Sequence, residues 1–140
     1  MSLLSYTELC DLIDAGVISG VDKTNVNSSS IDLTLGKHII VEMPAQFPIS
    51  LRKREQLQSQ KVSINKYGYK LMPNQFILAH TQQTFNLPNW LSAEYKLKSS
   101  MARIGLEHLT AGWCDAGWHG SSLTLELKNV TEYQIGRAHV

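Results

Sequence analysis

The side chains best suited to chemistry gather between Lys98 and Asn129, in three short stretches. In Lys98-Ser99-Ser100-Met101-Ala102-Arg103, two hydroxyls and two cations fall within six residues at the expected start of a helix. Free backbone N–H groups and the helix dipole there favour an anion such as a phosphate. The same residues also suit an ordinary N-cap with surface charges. In Ala111 to Gly120, the glycines Gly112, Gly117 and Gly120 surround Asp115. That spacing lets backbone approach a ligand in a tight hairpin with one carboxylate turned inward, and equally suits a glycine-rich turn capped by Asp. In the third stretch Leu123, Leu125 and Leu127 alternate with Thr124, Glu126 and Lys128. Glu126 therefore lies on the face opposite the leucines, a position that on an isolated strand is solvated.

These residues need elements to hold them. Ser5-Tyr6-Thr7-Glu8 has capping-box spacing, with Leu4 and Leu9 placed for a hydrophobic staple, so a helix opens the chain and Gly16 stops it. Asp22 to Ser30, rich in Asn and Ser, predicts a loop. The period then becomes two: Ile31, Leu33 and Leu35 predict one strand before Gly36, and His38 to Glu42 another. Pro44 to Lys66 predicts a solvated excursion, since no aromatics interleave with Arg52-Lys53-Arg54-Glu55 as a nucleic-acid surface requires. Strands are expected at Tyr69–Leu71, Gln75–His80, Thr84–Leu87, Leu91–Leu97, Leu109–Cys114 and Ser122–Lys128, with a short helix within Ser99–Leu106. Many short strands and few helices predict a mainly β domain of barrel or jelly-roll type.

Composition narrows the functions this frame can serve. A chain of 140 residues, 43% hydrophobic, fits one domain able to bury a core without disulfides or metal. Thirteen Lys and Arg against twelve Asp and Glu leave a net charge of +1, so no global field draws the molecule to nucleic acid or an anionic membrane. Any anion site must be local. Cys10 and Cys114 form no C-x-x-C pair, which disfavours a disulfide scaffold or zinc knuckle and suits a reducing, cytoplasmic setting. No apolar run approaches the roughly 18–20 residues of a membrane span, and the first residues lack the basic region and apolar segment expected of a secretory signal.

Taken together, Ser99-Ser100-Met101-Ala102-Arg103, the Asp-x-Gly-Trp-x-Gly turn at Asp115 and Leu-x-Leu-Glu-Leu-x-Asn from Leu123 resemble the signature of the dCTP deaminase family, within the dUTPase-like superfamily. The opening helix, Ser30 to Gly36, Leu71 to Pro88 and Leu91 to Leu106 are similar in order and spacing. The resemblance implies a distorted β-barrel or jelly roll of the dUTPase-like type, with an N-terminal helix and one short internal helix. It implies a homotrimer with active sites shared between subunits. It also implies hydrolytic deamination of dCTP to dUTP and ammonia in a phage or bacterial nucleotide pathway, with Mg2+ carried on the triphosphate and no zinc. Glu126 would shuttle the proton, Ser99 would hold the attacking water or leaving amine, and Arg103 would orient the carboxylate. Lys98, where the family commonly has Arg, and Ser100 would contact the triphosphate, the backbone at Ala111 the base edge, and Asp115 and Trp118 the deoxyribose. Zinc-dependent cytidine deaminases need H-x-E and a downstream P-C-x-x-C, and neither occurs here.

Two other functions stay open. Gly112-x-x-Asp115-x-x-Trp118-x-Gly120 also resembles the dUTPase motif whose Asp activates water against the α-phosphate, so dUTP pyrophosphatase activity, alone or with deamination to dUMP, is one. A catalytically silent nucleotide-binding relative is the other, because the chain has one residue fewer than the common family pattern before Asp115 and one more after it. After Asn129 the expected closing strand and lid do not follow. Residues 134–140, Gln134-Ile135-Gly136-Arg137-Ala138-His139-Val140, read as a translated sequencing-adapter oligonucleotide. The expectation is therefore a single domain over 1–133 cut short of its C-terminal strand and lid, followed by a non-native tail, with weak or absent activity in this truncated form.

Overall fold

In the computed structural model, which describes residues 2–136, the opening helix α1 runs from Tyr6 to Asp14. The Glu8 carboxylate accepts the Ser5 N–H at 2.8 Å while Ser5 Oγ accepts the Glu8 N–H at 3.4 Å, the expected reciprocal cap. At the other end Gly16, at φ +77°, donates to the Ile13 carbonyl and Val17 to the Leu12 carbonyl, both at 3.0 Å. This Schellman closure needs a left-handed residue, which glycine supplies without a Cβ penalty. Leu9 and Cys10 pack with Val26, and Leu4, Leu12, Ile13 and Ile31 cover them.

The β structure is a five-stranded sheet and a two-stranded ribbon. Strand β1 (His38–Glu42) pairs antiparallel with β2 (Ser59–Ser63) along its whole length, His38 opposite Ser63 and Glu42 opposite Ser59. Strand β3 (Phe76–Asn86) meets β1 at Ile40–Leu78 and Val41–Ile77. Two residues, Ala93–Glu94, form β4, and helix α2 covers Ser99–Ala102. Strands β5 (Leu106–Glu107) and β6 (Trp113–Cys114) precede β7 (His119–Asn129). The sheet order is β2-β1-β3-β7-β5, and β4 pairs with β6. The mainly β class with an N-terminal helix and a short internal helix is as expected, and among the described residues the large sheet is open, with β2 and β5 at its edges.

The chain forms two compact units. One takes the chain up to Gly36 with His80–Tyr95 and Gly112–Thr124; the other takes Lys37–Ala79, Lys96–Ala111 and the chain from Leu125 onward. In the first, Phe85 and Cys114 are buried, and Thr81 and Gln83 are only 1% and 3% exposed. Their polar atoms are satisfied: Thr81 Oγ1 donates to the Gln83 carbonyl and accepts the Leu123 N–H, while Gln83 bonds Thr34 through both side-chain atoms. In the second, Ile39, Leu71, Ile77, Leu125 and Leu127 are buried, and so is the polar Asn129, with 0% exposure. Asn129 Nδ2 donates to the Leu71 and Tyr133 carbonyls, and its Oδ1 accepts from Thr131 N and Oγ1.

Several strand expectations change. Residues 31–35 form only isolated bridges, Val26–Ile31 and Leu35–Thr81, because the Thr34 N–H is taken by the Gln83 side chain and the Asp32 N–H by the Asn25 carbonyl. The two strands expected at Gln75–His80 and Thr84–Leu87 are one, since the polar Thr81–Gln83 stretch is bonded to its neighbours in extended form, Gln82 N–H donating to the Thr34 carbonyl at 2.8 Å and Thr81 Oγ1 accepting the Leu123 N–H at 3.0 Å. The excursion after Pro44 contains β2, whose Ser-Gln-Lys-Val-Ser sequence buries little and so lacks an apolar period. The expected strand at Leu109–Cys114 shrinks to β6, because Leu109 and Thr110 take φ values of +56° and +54°, outside the β region. Of the suspected non-native tail, Ile135 pairs with Leu71 through bonds of 2.8 and 2.9 Å, and residues 137–140 lie outside the described residues. Among the described residues no helix is long and apolar enough to cross a membrane.

Candidate active site

The hydroxyl and cationic side chains of the first stretch ride on α2. Lys98 is its N-cap, Arg103 its C-cap, and the backbone bonds that close it run from Met101 and Ala102 to the Lys98 carbonyl and from Arg103 to the Ser99 carbonyl. The N–H groups of Ser99 and Ser100, at its first two positions, have no acceptor inside the helix. Lys98, Ser99, Ser100 and Arg103 are exposed. The far end of α2 is held firmly. Gly105, at φ +96°, bonds back to Ala102, its carbonyl accepts the Val130 N–H at 3.0 Å, and Tyr133 Oη donates to the Ile104 carbonyl at 2.8 Å. A Cβ at Gly105 would lie 2.0 Å from Thr131 Cγ2, so only glycine lets the α2–β5 turn close on the chain after β7.

Glu126 stands on β7, half-buried, between the buried Leu125 and Leu127. The alternation read from the sequence holds here, with the leucines on the core face and Glu126 on the other. Leu106 pairs with Asn129 and Glu107 with Lys128. Because paired residues share a face and side chains repeat every second residue, Glu107, Lys128 and Glu126 lie on one face of the β5–β7 pair. After β5 the chain turns through Leu109 and Thr110 to the exposed Ala111, whose N–H donates to the His108 carbonyl at 3.2 Å. Lys98, Ser99, Ser100, Arg103, Ala111 and Glu126 thus all belong to the unit that contains β1 and β2.

Asp115 and Trp118 belong to the other unit, in the turn between β6 and β7. Of the two readings of Asp115, an inward carboxylate or a turn-capping one, the inward one does not hold: the carboxylate is exposed and accepts Trp113 Nε1–H at 3.0 Å. Trp118 is half-buried, its ring 5.6 Å from Phe85, and its carbonyl accepts the Leu87 N–H. The glycines of this turn serve the fold: a Cβ on Gly112 would lie 2.2 Å from the Tyr95 carbonyl oxygen, and one on Gly117 2.7 Å from Asn89 Oδ1. Gly117 and Gly120 also take left-handed φ values of +82° and +83°. Cys114 is buried beside this turn, and burial, reinforced by the Asp115 charge, pushes its thiol pKa up. Among the described residues no three His, Cys, Asp or Glu side chains are grouped to hold a metal ion.

Glu107 was not among the expected site residues. Its carboxylate oxygen accepts the N–H groups of both His108 and Leu109 at 2.8 Å. Nothing in a lone Glu between Leu106 and His108 signals that bond, because it depends on the left-handed turn that follows.

Comparison with known proteins bears on this arrangement. A family model described as dCTP deaminase-like matches residues 3–136. A protein of Methanospirillum hungatei named dCTP deaminase, dUMP-forming, is 36% identical over 132 residues, covering 91% of this chain and 70% of the relative. Proteins of the same name from Methanosphaerula palustris and Persephonella marina are 37% and 34% identical, with 79% and 91% of this chain matched. The chain spans 70%, 59% and 72% of the length of these three relatives. The crystal structure of 2'-deoxycytidine 5'-triphosphate deaminase from Agrobacterium tumefaciens superposes with a TM-score of 0.74 at 21% identity, covering 96% of this chain and 43% of that one, a likeness of fold.

Proposed function

The chain belongs to the dCTP deaminase-like family, and from that premise we propose that it removes the cytosine amino group of dCTP by hydrolysis, giving dUTP and ammonia without a resident zinc. The observation that carries this reading is Glu126, a carboxylate on the polar face of a rigid strand whose alternate residues are buried leucines. Cytosine C4 is a weak electrophile, so N3 must gain a proton as a hydroxide equivalent adds to C4. One carboxylate can take the proton from water, deliver it to N3, and then move a proton to the departing amine as the C4–N bond breaks. Such a group works best where water is scarce. Glu126 is half-buried in the single chain, and subunits of a homotrimer with shared sites supply the remaining cover in this proposal.

Ser99 holds the water or the leaving amine, and Arg103 orients the carboxylate and offsets charge. The two N–H groups that open α2, with Lys98 and Ser100, suit the triphosphate. Lys keeps the positive charge but presents a point donor where Arg would present a fork. Mg2+ arrives on the triphosphate as part of the substrate. The backbone at Ala111 reads the base edge, and Asp115 and Trp118 are assigned to the deoxyribose. The sequence motif and the absence of H-x-E and P-C-x-x-C support zinc independence, and the charge balance and two unpaired cysteines suit a cytoplasmic enzyme.

A second reading is favoured by the relatives' printed name, dUMP-forming. In it, dUTP is cleaved further to dUMP and pyrophosphate, with Asp115 activating the water. A nucleotide panel decides both. Ammonia from dCTP supports deamination, pyrophosphate from dUTP supports the second step, and binding of dCTP with no ammonia at high protein concentration identifies a silent nucleotide-binding relative instead.

A further inference from the structure

We infer that Glu107 is a positioning residue that sets the backbone at Ala111 against the base, an inference that rests on the function proposed above. Glu107 ends β5, and its register opposite Lys128 puts it on the face that carries Glu126. From there its Oε1 accepts two successive backbone N–H groups, those of His108 and Leu109, each at 2.8 Å, and lies 3.4 Å from His108 Nδ1. The two residues that follow are both left-handed, Leu109 at φ +56° and Thr110 at φ +54°. A leucine and a β-branched threonine resist that conformation, and two in succession persist only where surrounding bonds over-determine them.

The bonds present here do this from both sides. The Glu107 carboxylate grips the entry to the turn, and the Ala111 N–H closes its exit on the His108 carbonyl at 3.2 Å. Bonds to an ionised acceptor are the stronger kind, and here one oxygen serves both N–H groups. Without it, the N–H groups of His108 and Leu109 turn to water. The left-handed pair then relaxes toward ordinary backbone angles, and the peptide at Ala111 rotates away from its bound orientation. Glu107 acts through this turn and does not itself touch the reacting atoms.

The test uses the full chain with Glu107→Ala, Glu107→Gln and Glu107→Asp. Kinetics of ammonia release from dCTP are measured beside calorimetric binding of dCTP and dUTP, melting temperature, and amide exchange at His108 and Leu109. Glu107→Ala is expected to raise KM and Kd for dCTP about tenfold, with a smaller change in kcat and faster exchange at both amides. Glu107→Gln, which keeps an acceptor oxygen at the same reach, recovers most of the loss. Glu107→Asp keeps the charge on a stem one methylene shorter, so it behaves like the Ala variant and carries the test if that variant does not fold. A merely structural role lowers the melting temperature and the active fraction while leaving KM and Kd in place, and that result overturns the inference. Wild-type protein that binds neither nucleotide removes the proposed function and this inference together, whereas wild-type activity with an indistinguishable Glu107→Ala variant removes the inference alone.

Discussion

Glu126 and Asp115 divide the two proposed chemistries between them. Glu126→Gln keeps the size and position of the side chain on β7 but cannot take a proton from water. Ammonia release from dCTP should fall by about 10^3-fold or more while dCTP binding, followed by calorimetry, stays close to wild type; turnover at the normal rate would falsify the assignment. Asp115→Asn, which loses the proposed contact to the deoxyribose, should raise KM for dCTP with little change in kcat for ammonia release, and under the second reading it should abolish pyrophosphate release from dUTP; equal loss of kcat for both products argues against a separate role in the second step. Cys114 gives a pH test. Its thiol pKa is raised, first by burial and then by Asp115, so the folded chain holds that proton to higher pH than the unfolded chain does. Its stabilising contribution is therefore complete below the ordinary thiol value of about 8.5 and is lost as pH rises through the folded value. Melting temperature should drop with alkaline pH, and Cys114→Ala should flatten the drop. The alternation that singles out Glu126 could be read directly from Leu123, Leu125 and Leu127, since a period of two has one geometric meaning on a strand. The exposed bond from Trp113 to the Asp115 carboxylate could not, because it depends on how the β6–β7 turn folds back.

The elements that hold these side chains are punctuated by caps and glycines, and each makes a measurable claim. Ser5→Ala removes one half of the reciprocal cap on α1 and should cost about 1 kcal/mol in chemical denaturation. Gly112→Ala drives a Cβ to within 2.2 Å of the Tyr95 carbonyl oxygen, a backbone atom just beyond β4, where the Tyr95 N–H holds the two segments together by donating to the Gly112 carbonyl at 2.7 Å. It should cost at least about 2 kcal/mol, and a neutral result would show that the ribbon can shift. The α1 cap and the Gly16 stop were legible because capping is local, acting over three or four residues. Strand β2 was not, since Ser-Gln-Lys-Val-Ser is set in the sheet by its partner β1 rather than by an apolar face of its own. The opposite error arose at residues 31–35, where a clean period of two met side-chain acceptors on β3 and the ladder never formed.

At the scale of the molecule, a net charge of +1 leaves the small cationic set on α2 as the proposed counterpart of a negatively charged nucleotide. Binding should then fall with added salt only modestly and should show no preference for DNA over the free nucleotide, which a filter-binding competition checks. The proposed homotrimer predicts a trimer mass in sedimentation; a monomer that still releases ammonia from dCTP rules out the shared site. The family was readable from the chain alone, because a few residue types at fixed spacings carry a signature that random surface positions rarely reproduce. The mainly β class followed from periodicity and turn residues, which report local backbone geometry. What only the tertiary structure decided was pairing and orientation: that β5 lies against β7 with Glu107 on the face of Glu126, that Leu109 and Thr110 turn left-handed beneath a carboxylate, and that Asp115 faces outward. Those depend on which distant backbone groups find one another, and a one-dimensional pattern records the preferences of each segment but not the partner that satisfies it.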